Sequence, residues 1–201
     1  MSIRFTQKVR NIINHIATYG FITNSQCAAI FYKNNKQPYI QAQVKLKLLY
    51  DNGIVIRTEY KLNKEYVYSL DNKEINEHKM VSMNLYAFLC KNFKINYFKL
   101  EESWQCKKRN DAHIIIETKE GDVLGLLCEI DLWHKTSQEK LDILYDSREV
   151  HNWYKAYQNT DGDYYPSILI INNTGKTNIK SDKYDIVATG FEFEGLLDIL
   201  P

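Results

Sequence analysis

Asp111, Glu129 and Asp131 stand at a spacing that could do chemistry, in the segments RNDA (109–112) and CEID (128–131). Side chains alternate along a strand, so Glu129 and Asp131, with Ile130 between them, leave the same face. A neighbouring strand that starts at Asp111 could bring the third carboxylate to the same end. Three converging carboxylates offer the oxygen ligands that Mg²⁺ takes. A metal held there would activate water and steady a leaving oxygen, as phosphodiester hydrolysis requires. The three residues are therefore candidate catalytic acids and candidate metal ligands. The sequence fixes no cofactor, and Mg²⁺ is the one this trio would hold.

The elements around them must do the positioning. Ala112–Thr118 and Val123–Asp131 read as a hairpin through the turn KEGD. Tyr97–Glu101 is a candidate strand before it. The pattern predicts one long helix from Gln138 to about Gln158, short apolar strands at Ser167–Asn172 and Tyr184–Ala188, and a last helix at Glu194–Leu200. The result is a mixed α/β domain over 94–201. The arrangement resembles the PD-(D/E)xK nuclease fold, in which an acid is followed about twenty residues on by Glu or Asp, one residue, then Lys. Asp111 and Glu129 match the acids. Asp131 occupies the Lys position, and Asn110 replaces the Pro that precedes the first Asp. The resemblance assigns the missing amine to the following helix, with Lys140 the candidate and Lys135 the alternative. With the motif Lys absent, it favours a domain that no longer cleaves.

Residues 1–72 read differently. A helix from Thr6 to Tyr19 has a capping threonine and a closing Gly20. Thr23-Asn24-Ser25 caps a short helix over Gln26–Tyr32. Pro38 opens a third helix that stops at Asn52-Gly53. Ile54–Tyr60 and Glu65–Leu70 then read as strands around KLNK. This order resembles a winged helix-turn-helix, carried by Leu46, Leu49 and Gly53-Ile54-Val55 in KLKLLYDNGIVIR. On a helical wheel Ala42, Leu46, Leu49 and Tyr50 share the core face. Gln37, Gln41 and Lys45 point away and could reach base edges in the major groove of duplex DNA. Arg57, Lys61 and Lys64 on the wing are candidates for phosphate contacts. Ile40, Val44 and Leu48 form a second apolar stripe, a candidate dimer or docking surface, and a homodimer is expected. Glu77–Phe93 reads as a linker helix, over 73–93.

Both halves together resemble the replication-relaxation family of plasmids and mobile elements. The matches are Arg109-Asn110-Asp111-Ala112, Cys128-Glu129-Ile130-Asp131, then Lys140 and Tyr145, with His78 and Asn84 in the linker helix. The resemblance implies DNA-linked work in replication, relaxation, mobilisation or transcriptional control, with a nuclease-like second domain. Two alternatives stand beside it: an active Mg²⁺-dependent nuclease or nickase, and a protein-interaction module that dimerises through the winged helix.

Charge distribution agrees with a polyanion partner for the first part only. Residues 1–70 hold ten Lys or Arg against three Asp or Glu, a net of +7, whereas 71–201 carry a net of −6. Cys27, Cys90, Cys106 and Cys128 form no CxxC pair, which excludes the usual structural zinc site. The N-terminal MSIRFTQKVRN lacks an apolar signal core and no long apolar run occurs, so a cytoplasmic protein without membrane contact is expected. Asn173–Thr177 ends in GKT but lacks the first glycine of a phosphate loop and reads as a turn. His134, three residues from Asp131, is a lesser metal candidate. Tyr145, Trp153, Tyr154, Tyr157, Tyr164 and Tyr165, with Trp133 nearby, could stack on unpaired bases; their helical spacing favours core packing.

Overall fold

The structure, a computed structural model, describes residues 4–60, 64–72 and 74–200. Among these it is a mixed α+β protein of seven helices and two sheets. The chain divides into two compact units: residues 1–76 with 90–92, and residues 77–89 with 93–201.

In the first unit, α1 (Gln7–Tyr19) begins where the Thr6 hydroxyl accepts from the Val9 amide, and ends at Gly20, whose φ of +93° suits glycine. Val9, Ile12 and Ile16 turn one stripe inward. Phe21–Thr23, of which only Thr23 was assigned a role above, as a cap, forms strand β1. Thr23 caps α2 (Asn24–Phe31) reciprocally with Gln26, each side chain bonding the other's backbone amide. Pro38 opens α3 (Pro38–Asp51). The strands β2 (Ile56–Glu59) and β3 (Tyr66–Ser69) are shorter than the pattern indicated, and β3 pairs antiparallel with both β2 and β1. Ala42, Leu46 and Leu49 of α3 pack with Ile12, Ile16, Val55 and Tyr68. Tyr50, expected in this core, is instead an exposed residue against Arg57.

The second unit opens with residues 77–89 of α4 (Glu77–Asn92), whose Leu85 and Leu89 enter its core. Strands β4 (Lys94–Leu100), β5 (Ala112–Glu117) and β6 (Val123–Asp131) form an antiparallel meander. β7 (Ser167–Asn172) and β8 (Ile186–Thr189) add parallel to β6, giving the order β4-β5-β6-β7-β8. Both faces of this sheet are covered, so β5–β7 read as nearly unbroken apolar runs. On one face Ile114, Ile116, Cys128 and Ile130 pack with Leu85, Leu89 and Leu196. On the other Ile115, Leu127, Ile168 and Ile170 pack with Leu141, Leu144, Val150 and Tyr154.

The helix expected over 138–158 is two helices, α5 (Gln138–Asp146) and α6 (Glu149–Gln158). Arg148 breaks it with φ +62°, its guanidinium donating to Asp163 at 2.7 Å. The expected last helix is a single turn, α7 (Leu196–Ile199).

Candidate functional site

Glu129 lies on β6, on the face that meets α5, two residues before the strand's end. The residue is 2% exposed, and both carboxylate oxygens are taken. Asn110 Nδ2 donates to Oε1 at 2.7 Å, and Lys140 Nζ donates to Oε2 at 2.6 Å. Lys140 stands in the first turn of α5, next to Leu141, whose burial seats the helix on the sheet. Of the two candidate lysines, Lys140 is thus the one that meets Glu129, and Lys135 lies in the loop before α5. Asn110 is itself fixed, since Trp104 Nε1 donates to its Oδ1 at 2.8 Å. Burial pushes the Glu129 carboxyl up to about 7, against the pull of Lys140 and Asn110, and the nearby Asp111 adds to the rise.

Asp111 precedes β5 and lies across from the end of β6. Its amide donates to Cys128 O, and its Oδ2 accepts from the Ile130 amide at 2.8 Å. The carboxylate thus completes the ladder where β5 has run out of backbone partners. Asp131 does not join the other two. Its Oδ1 accepts from both the amide and the hydroxyl of Thr136, which ties it to the loop before α5. Strand alternation puts Glu129 and Asp131 on one face, as expected, but the second is drawn away by the loop it holds.

The expectation of a three-carboxylate metal site is therefore corrected. Among the described residues no three His, Cys, Asp or Glu side chains gather closely enough to hold a metal ion. Every one of the three carboxylates has a hydrogen-bonding task, and Mg²⁺ would have to displace Lys140 or Asn110 from a buried group. These residues, as placed, do not fit the cation. What the centre can do is hold a buried carboxyl group and an ammonium in contact.

The sequence reading passed over Asn110 as a position-holder and missed Trp104 and Thr136. It also missed Glu102, which accepts from Tyr97 Oη and Lys99 Nζ beside the buried His113. Burial alone would raise the Glu102 carboxyl; its hydrogen bonds outweigh this and bring it down to about 2. His113 in turn faces Tyr154 Oη at 2.8 Å. His134 is an exposed loop residue, and Tyr145 packs among Tyr165, Tyr184 and His151.

In the first unit, Gln37 is exposed at the N-cap of α3 and makes no capping bond. Gln41 is exposed and accepts from Asn35 Nδ2, and Lys45 is half-buried. Lys64 is exposed beside β3; Lys61 lies outside the described residues. Arg57 is engaged in packing: its guanidinium lies 4.4 Å and 4.3 Å from the rings of Tyr50 and Tyr66, and it bonds Tyr68. Ile40 and Val44 are 50% and 61% exposed on α3, beside Gln37 and Gln41 on the face away from the core.

No family model matches the chain, and no curated protein matches it either. No helix among the described residues is long and apolar enough to cross a membrane.

Proposed function

We propose that this chain binds duplex DNA through its first unit, as a winged helix-turn-helix, and serves replication, relaxation, mobilisation or transcriptional control of a mobile element. The observation that carries the reading is α3. It closes the core with Ala42, Leu46 and Leu49 while leaving Gln37 and Gln41 exposed at its N-terminal end and Lys45 half-exposed at mid-helix. That end of a third helix is the part that reaches base edges in this motif. The hairpin after it carries Lys64 outward, and Glu65 anchors it by accepting from the Ser25 amide at the start of α2. The excess of basic residues in 1–70 supplies the attraction to phosphate.

On this reading the second unit has a nuclease-like scaffold whose acids serve structure rather than cleavage. The test is an electrophoretic shift series with duplex DNA at rising salt. Affinity falls as salt rises, and Lys45→Ala and Lys64→Ala each weaken binding with unchanged thermal stability. Binding indifferent to both salt and these substitutions removes the proposal.

A second reading, phosphodiester cleavage, is favoured by one contact: the Lys140 amine at 2.6 Å from Glu129. It restores the amine that Asp131 denies the motif. Incubating supercoiled plasmid with the protein and Mn²⁺ separates the two readings. Nicking by the wild type and not by Glu129→Ala selects the second; intact plasmid in both removes it.

A further inference from the structure

At the carboxyl ends of β6 and β7, Asp131 pairs in register with Asn172, and the two leave the sheet side by side. A cavity of about 440 Å³ opens above them, walled by the loops 132–136 and 173–179. Clefts beyond the carboxyl ends of parallel strands are where open α/β sheets place ligands, and this volume is in the range of ligand pockets. On one wall stands Trp133, 80% exposed and the most exposed of the large apolar side chains described. Lys135 stands on the same wall and Lys176 on the other, both exposed.

Both walls are braced. Thr136 holds its loop to Asp131 by two hydrogen bonds. Asn172 holds the other, accepting from the Thr174 amide and hydroxyl while donating to Lys176 O. Gly175, at φ +62°, seats that loop so closely that a Cβ would stand 3.1 Å from the Gly190 amide nitrogen. The ring and the two ammonium groups are thus presented on preset supports, which lowers the ordering cost of binding.

We infer that this cleft binds a single strand of nucleic acid, with an unpaired base stacked on Trp133 and flanking phosphates held by Lys135 and Lys176. An aromatic face beside cationic groups is the chemistry that takes a single strand, and a duplex offers no free base face to stack. The two lysines outweigh Asp131, whose Oδ1 is already engaged, so the charge suits a phosphate. The inference concerns the second unit alone and stands whether or not α3 reads duplex DNA.

The test uses the full chain and a labelled oligothymidylate of about fifteen nucleotides, within the range of single-strand site sizes. Anisotropy gives affinity, and tryptophan fluorescence reports stacking. The oligomer quenches wild-type fluorescence. Trp133→Ala weakens binding about tenfold, and Trp133→Phe, which keeps a stacking face, restores most of it. Lys176→Ala flattens the slope of log affinity against log salt by about 0.7. Oligomer binding by Trp133→Ala equal to wild type overturns the inference. So does thymidine monophosphate binding as tightly as the oligomer, which would make the cleft a free-nucleotide site. A duplex of equal length that quenches as strongly also overturns it.

Discussion

Glu129 sits between two opposed effects, and its titration exposes both. Burial favours its neutral form and Lys140 favours its charged form; burial prevails, bringing the carboxyl up to about 7 from its ordinary 4.5. The folded state therefore holds this proton more tightly than the unfolded chain does. The stabilisation is complete below about pH 4.5 and is lost as pH rises through 7, up to roughly 3 kcal/mol on the scale of 1.36 kcal/mol per unit. His15 works in the opposite sense over an overlapping range, because burial lowers it to about 4 and its contribution is lost as pH falls below 6.5. The whole-protein profile masks both. The difference in stability between wild type and Glu129→Gln isolates the first and should shrink steadily from pH 4.5 to 7. A difference independent of pH in that window refutes the assignment. Lys140→Met removes the opposing charge, so carbon-detected NMR should then find the Glu129 carboxyl titrating above 7. At this scale the sequence disclosed Glu129 and Lys140, because motif and helix both pointed to them. It concealed that Asn110 completes the pair, since its bonds to Trp104 and Glu129 depend on a loop with no regular pattern.

The strands and helices were legible where their periodicity was long and their turns marked. Ser167–Asn172 has the bounds expected of it, and the KEGD hairpin closes at Gly121 with φ +95°. The break between α5 and α6 left no mark, because Arg148 adopts a left-handed conformation that arginine gives no sign of favouring. Gly125 is a case in which a sign was present. A glycine inside a strand often admits a close neighbour, and here the neighbour is the fully buried Tyr154 of α6. A Cβ on residue 125 would stand 2.0 Å from the Tyr154 hydroxyl and 2.6 Å from its ring. The ring cannot retreat without giving up His113 and the core around it. Gly125→Ala is expected to destabilise the protein by about 1–3 kcal/mol through overpacking. Gly162→Ala, whose nearest neighbour would be 3.5 Å away, should remain within about 0.5 kcal/mol of wild type. Equal denaturation midpoints for the two variants would refute the packing argument.

Across the whole molecule, the charge asymmetry and the lapse of periodicity near 71–77 were visible in the sequence, and the larger gap was the placing of side chains in the second unit. The aromatic residues between 145 and 165 illustrate it. Trp153, Tyr154, Tyr164 and Tyr165 join the core beside Ile115 and Leu127, whereas Trp133 stays outside on its loop. Periodicity separates helix from loop, but not which aromatic a loop will expose. The sheet topology also carries a consequence in time. β5 and β6 meet across a short turn, whereas β6 and β7 pair residues about forty positions apart. Closing so long a connection costs more chain entropy and comes later in folding. Until it closes, β6 has an open apolar edge, the kind that recruits other chains. Refolding should therefore be most prone to aggregation after the meander forms and before β7 docks. Pulsed hydrogen exchange should protect amides of 112–117 and 123–131 ahead of those of 167–172, so that the floor formed by Asp131 and Asn172 is completed among the last parts of the fold.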